Sequence, residues 1–100
     1  LSSSSAASDV YKRQPAFTDM YIEALGDAGV QYGLQRATAY RLAAKMVEGV
    51  GALYMATETH PGAMKDAVCS PGGTTIKGVA QLEKDGFRGA VIDAVDAIVG

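Results

Sequence analysis

Residues 36–57 read RATAYRLAAKMVEGVGALYMAT, and along them Ala39, Tyr40, Ala43, Met46, Val47, Val50, Leu53 and Tyr54 recur at steps of three and four. Steps of that size gather side chains on one face of an α-helix, whereas a half-buried strand alternates every second residue. The stretch therefore predicts a helix of about six turns. Gly49 and Gly51 lie inside it, and each costs about 1 kcal/mol relative to Ala in a helix interior. Close approach of another helix is the expected compensation. A dinucleotide-binding loop at Gly49-Val50-Gly51 does not fit, because such a loop follows a strand and carries a third glycine where this chain has Tyr54.

The same period extends in both directions. Upstream, Phe17, Met20, Tyr21, Ala24, Leu25 and Ala28 predict a helix from Pro15 to Gln31. Pro15 suits a first helical position, where its missing N–H has no partner to lose, and Gly33 offers the left-handed conformation that closes a helix. Downstream, His60-Pro61 marks a boundary and opens a short helix over residues 61–68. Ser70-Pro71-Gly72-Gly73 then breaks the pattern. Ile76, Val79, Ala80 and Leu82 resume it from Thr74 to Lys84, Asp85-Gly86 ends it, and Phe87, Val91, Val95 and Ile98 form one stripe from Phe87 to Val99. No segment alternates with period two over a strand length, and no internal repeat is present. The expected fold is all-α, a bundle of about five helices.

Residues 1–14, LSSSSAASDVYKRQ, are polar and Ser/Ala-rich, and they read as a disordered lead-in of foreign character joined to the helical region at Pro15. The expected organisation is thus a lead-in over 1–14 and one helical domain over 15–100. At 100 residues the chain has the size of one folding unit. Nine Lys and Arg against eleven Asp and Glu give a net charge of −2, which lacks the basic surface that neutralises a phosphate backbone, so nucleic acid is not an expected partner. No apolar run reaches the roughly 18 residues of a membrane span, and no membrane partner is expected. Apolar residues make up 48% of the chain, but aromatics only 7% and Trp is absent, so the core must be lean and its helices packed through small faces. A single cysteine, Cys69, excludes an internal disulfide and a multi-cysteine metal site, which fits a reducing, cytoplasmic setting.

Chemistry concentrates in one place, Lys65-Asp66-Ala67-Val68-Cys69-Ser70-Pro71-Gly72-Gly73-Thr74-Thr75: a helix end, a glycine-rich turn and a new helix start. Two readings of it stand. In one, Thr74 or Ser70 caps the following helix and the turn is only a connector. In the other, the amides of Gly72, Gly73, Thr74 and Thr75, unpaired at a helix N-terminus and backed by the macrodipole, receive a carboxylate or phosphate, with the Ser70, Thr74 and Thr75 hydroxyls adding donors. A phosphate loop of the Gly-Lys-Ser/Thr kind is excluded, since no strand precedes the turn and Lys77 already lies on the helix. His60, the only histidine, reads as a helix-start residue, Glu58 as a solvated carboxylate, and Cys69 as a small packing residue. Glu23, Asp27, Asp66, Asp93 and Asp96 are scattered with no histidines to join them, so no metal is expected.

The run HPGAMKDAVCSPGGTTIKG at residues 60–78, followed by Leu82-Glu83 and Gly86-Phe87-Arg88, resembles the C-terminal helical domain of the pyrroline-5-carboxylate reductases. Glu23-Ala24-Leu25-Gly26-Asp27-Ala28-Gly29-Val30 and Gly33-Leu34 are similar to that family's first long helix and its exit, so the likeness covers the chain from Pro15 onward. The resemblance implies an NAD(P)H-dependent enzyme of proline biosynthesis that reduces 1-pyrroline-5-carboxylate to proline. It also implies that an N-terminal Rossmann domain holds NADPH or NADH, and that this helical domain interlocks with a second copy as a homodimer or higher homo-oligomer. Carried over to this chain, Ser70 and the amides of Gly72, Gly73 and Thr74 would hold the substrate carboxylate. Thr75 would bond near the ring nitrogen as the catalytic contact, and Glu58 would lie beside the site.

The chain departs from the family pattern at its start, where only Pro15-Ala16 of a Gly-Ser-Gly-Pro-Ala segment survives. No strand and no GxGxxG precede it. The resemblance then implies a fragment that binds no nucleotide and is inactive alone. Two other assignments predict different sequences or behaviour. The helical domain of another dehydrogenase, of the 6-phosphogluconate type, would carry a Lys-Asn pair, and this chain has no Asn. A non-enzymatic helical interaction module would have no affinity for small carboxylates.

Overall fold

The structure, a computed structural model, describes residues 3–100, with side chains from residue 8 onward. Among the described residues every regular element is a helix: α1 Ser3–Lys12, α2 Pro15–Gln31, α3 Arg36–Thr57, α4 Pro61–Ala67, α5 Thr74–Lys84 and α6 Phe87–Val99. The chain divides into two units, Leu1–Glu58 and Thr59–Gly100. None of the described helices is long and apolar enough to cross a membrane.

In the first unit α2 and α3 pack through residues with little or no side chain. Gly26, Ala39 and Ala43 are buried at this contact. A methyl group on Gly26 would overlap the Tyr40 ring, and one on Gly29 would come within 2.8 Å of the Ala39 methyl. The helices are therefore close enough that the lean, small-faced packing expected from composition is realised here. α2 ends as its sequence requires: Gly33 takes φ 101°, its N–H donates to the Val30 carbonyl at 3.0 Å, and the Leu34 N–H reaches back to Gly29 at 2.9 Å. That paired closure satisfies carbonyls the helix would otherwise leave open. A polar strap joins the next helix to α2. Arg36 donates to Asp27 at 2.7 Å and to the Tyr40 hydroxyl at 3.0 Å, with its guanidinium 5.6 Å from the Tyr40 ring centroid. The bond to Asp27, then that to Tyr40, hold the Arg36 guanidinium above its ordinary pKa. The groups are exposed, so the strap fixes register more than it adds stability.

One expectation fails in this unit. Residues 3–12 are helical rather than a disordered lead-in. The segment SSSAASDVYK contains neither Gly nor Pro, Asp9 and Lys12 pair at 3.5 Å one turn apart, and Val10 is buried, so a short helix has local and packing support. Gly49 and Gly51, expected to admit a neighbouring helix, face open space within the chain, with nothing within 4 Å of a methyl built on either. Their cost to α3 is not repaid by any other helix of the described residues.

The second unit holds α4 and the α5–α6 hairpin. α5 and α6 meet at a tight turn in which Gly86 takes φ 74° and its N–H donates to the Glu83 carbonyl at 3.1 Å. Arg88 on α6 reaches back across that turn to Glu83 at 2.9 Å. Val91 is 43% exposed and Leu53 of α3 is 52% exposed, so parts of the apolar stripes read from the sequence meet solvent in the single chain.

Candidate functional site

The glycine-rich turn sits between α4 and α5. α4 ends at Ala67, where the Val68 N–H donates to Lys65 at 3.2 Å and the Cys69 N–H to Asp66 at 3.1 Å. Cys69 is half-buried, in keeping with a packing residue. Pro71 and Gly72 then reverse the chain. Gly72 has φ 69°, a conformation that costs a residue with a Cβ on the order of 1–2 kcal/mol. Gly73 is favoured for a different reason: a methyl there would lie 2.5 Å from the Ser70 Oγ and 3.2 Å from the Ser70 carbonyl oxygen, so Ser70 would have to shift. The two glycines thus let the chain turn and let Ser70 close over its mouth.

The N-terminus of α5 is open. Its cap residue is Gly73, and no side chain makes a capping hydrogen bond. Neither Ser70 nor Thr74 therefore makes the cap that the connector reading expected. Ser70, Gly72, Thr74 and Thr75 are all exposed, and Gly73 is half-buried. One predicted donor is already used: the Gly73 N–H donates to the Ser70 carbonyl at 3.0 Å and so holds the turn rather than a ligand. The amides of Thr74, Thr75 and Ile76 occupy the first three helical positions, where no intrahelical acceptor exists. Ile76 was not among the expected donors, although its place in the first turn of the helix already implied it. This end of α5 presents a set of amides and the Ser70, Thr74 and Thr75 hydroxyls to solvent, with the positive end of the helix dipole behind them. Such an arrangement can donate hydrogen bonds to an anion with more than one oxygen.

Glu58 closes the first unit. It is exposed and is the only non-glycine residue with positive φ among the described residues, at φ 52° and ψ 27°. Its N–H donates to the Tyr54 carbonyl at 2.6 Å, which ends α3. His60 opens the second unit as the N-cap of α4, its Nδ1 accepting from the Gly62 N–H at 2.9 Å, so its helix-start reading holds. His60, Lys65, Leu82, Glu83, Phe87 and Arg88 line an open groove of about 500 Å³ within the second unit. The groove contains none of the turn residues and had no signature in the sequence, because it arises from the hairpin geometry of α5 and α6. Among the described residues no three of His, Cys, Asp and Glu cluster so as to hold a metal.

The family described as pyrroline-5-carboxylate reductase dimerisation matches residues 2–100. The chain belongs to that family. Its sequence is 59% identical over 83 residues to a pyrroline-5-carboxylate reductase of Treponema pallidum, a match covering 83% of this chain and 32% of that protein. It is 54% identical over 81 residues to the reductase of Escherichia coli, covering 81% of this chain and 30% of the relative. Among solved structures, the reductase of Plasmodium falciparum, crystallised with NADP bound, superposes with a TM-score of 0.80 at 36% identity over 83% of this chain and 34% of that one. The reductase of Streptococcus pyogenes does so with a TM-score of 0.82 at 37% identity, covering 84% and 32%. The chain thus spans about a third of the length of these reductases.

Proposed function

We propose that this chain is the helical, substrate-binding and dimerising part of a reductase that converts 1-pyrroline-5-carboxylate to proline with NADPH or NADH. The observation that carries the reading is the uncapped N-terminus of α5 beside Ser70, in a chain of this family. The substrate is a small ring acid, and its carboxylate has the charge and the paired oxygens that the Thr74 and Thr75 amides and the Ser70 hydroxyl suit. With the Gly73 amide engaged in the turn, the Gly72 and Gly73 backbone serves by letting the acid approach closely. In this reading the Thr75 hydroxyl, in the first turn of α5, bonds at the ring nitrogen.

The reduced nicotinamide supplies the hydride in such a reaction. The described residues hold no strand and no glycine-rich loop after one, and Gly49-Val50-Gly51 lies inside α3, so these residues do not fit a dinucleotide. In this reading the nucleotide is held by the remainder of a longer reductase, and these 100 residues are inactive alone. Their contribution is to bind and orient the acid. The open face of α3 supports association with a second copy. Gly49 and Gly51 admit close approach, and Val50, Leu53 and Tyr54 beside them are exposed.

The test uses the complete reductase carrying this segment. Hydrogen bonds to a charged group are worth on the order of 1.5–3 kcal/mol, so Ser70→Ala or Thr75→Ala should lower kcat/KM for pyrroline-5-carboxylate by about ten-fold or more. Unchanged kinetics in both variants would remove the turn from the reaction. Sedimentation of the chain addresses the dimer, and a stable, well-ordered monomer counts against it.

A further inference from the structure

We propose that His60 is a proton-gated cap: α4 is closed at its N-terminus only while the imidazole is neutral. Helix N-caps are ordinarily Ser, Thr, Asp or Asn, whose oxygens accept a backbone N–H at any pH near neutrality. Here the acceptor is the Nδ1 of His60, 2.9 Å from the Gly62 nitrogen. An imidazole nitrogen accepts only without its proton, so the bond fixes the neutral tautomer with hydrogen on Nε2. Protonation turns Nδ1 into a donor facing another donor. It also places a positive charge at the end of a helix where the macrodipole is positive.

The geometry couples the cap tightly to that one atom. Pro61 has no N–H to offer, and the Ala63 and Met64 amides bond to the His60 carbonyl at 2.9 and 3.1 Å, so the Gly62 amide is the donor in the first turn that depends on the side chain. A methyl on Gly62 would lie 3.0 Å from Nδ1, which is why the ring can come in over this residue. The charged groups around the groove are paired: Lys65 of α4 with Asp66 at 3.4 Å, and Arg88 of α6 with Glu83 of α5 at 2.9 Å. Glu58 is two residues upstream in the chain. α4 has only seven residues, so the loss of this bond loosens its first turn rather than being absorbed by a longer helix. The switch is independent of what the turn after α4 binds.

The experiment is amide hydrogen exchange of the 100-residue chain, read by nitrogen-15 NMR between pH 8 and pH 5 and normalised for intrinsic exchange. That interval contains the charge change of imidazole and lies above that of ordinary carboxylates. Gly62 protection should fall about five-fold or more as the pH drops through it. His60→Asn, whose amide oxygen caps at every pH in the range, should hold protection constant. Imidazole nitrogen shifts at pH 8 should report hydrogen on Nε2. Flat Gly62 protection in the unaltered chain, an equal fall in His60→Asn, or hydrogen on Nδ1 at pH 8 would each overturn the proposal.

Discussion

Replacing Glu58 with glycine should make the fold more stable. Glu58 holds φ 52° and ψ 27°, and the left-handed region costs a residue with a Cβ on the order of 1–2 kcal/mol. Glycine removes that cost but returns roughly 0.5–1 kcal/mol through its freer unfolded state, leaving a net gain of about 1 kcal/mol. The hydrogen bond that ends α3 is made by the main-chain N–H to Tyr54, so the substitution leaves it intact. The side chain is exposed, and little packing is lost. For a domain of this size such a gain raises the melting temperature by about 4–8 °C. Urea and thermal unfolding of Glu58→Gly and Glu58→Asn, followed by circular dichroism at several chain concentrations, would measure it. Asn tolerates the left-handed region and should fall between the two. An unchanged or lowered midpoint in Glu58→Gly would refute the reasoning and show that the surroundings favour a side chain there. In the complete reductase the same substitution separates conformation from chemistry. If the carboxylate serves the site, both Glu58→Gly and Glu58→Gln lower kcat/KM, while only the former raises stability.

Other substitutions test the packing and the turn. Gly26→Ala should destabilise the first unit despite a better helix propensity, because overpacking against Tyr40 costs about 1–3 kcal/mol. Gly49→Ala should instead gain about 1 kcal/mol in the separate chain and weaken self-association, the two effects being read by unfolding at low concentration and by sedimentation. Gly73→Ala should displace Ser70 and lower kcat/KM in the complete reductase with little loss of helix content, since the added methyl meets the Ser70 Oγ and carbonyl oxygen. Retention of full activity in that variant would argue that Ser70 need not stay where it is.

The helices were legible because apolar spacing and end signals agreed. α2, α3, α5 and α6 begin and end where Pro15, Gly33, the Ser70-Pro71-Gly72-Gly73 break and Asp85-Gly86 place them, and α4 stops one residue short of the expected position 68. α1 was missed because a Ser/Ala segment has no apolar period to read, and one buried valine and one ion pair are decisive only in three dimensions. The neighbour of Gly49 and Gly51 was not legible for a similar reason. A helical glycine announces room for a neighbour but does not say whether that neighbour belongs to the same chain. At the turn, Pro71, Gly72 and Gly73 marked a chain reversal that the structure has. Which amides remain free depended on a single bond, Gly73 to Ser70, that spacing does not encode. The histidine cap was half visible, since His60-Pro61 signals a helix start while the ring's inward swing over Gly62 is a matter of rotamer.

The scarcity of enclosed side chains has a bearing on how the molecule should be handled. Among the described residues Val10, Ala39 and Ala43 are the apolar side chains most withdrawn from water, and none of the large ones is fully enclosed. A polypeptide with so thin an interior draws on whatever it adsorbs to. Its apparent melting point should therefore respond to dilution and to detergent as readily as to heat, and a denaturation curve means little unless the molarity is stated beside it.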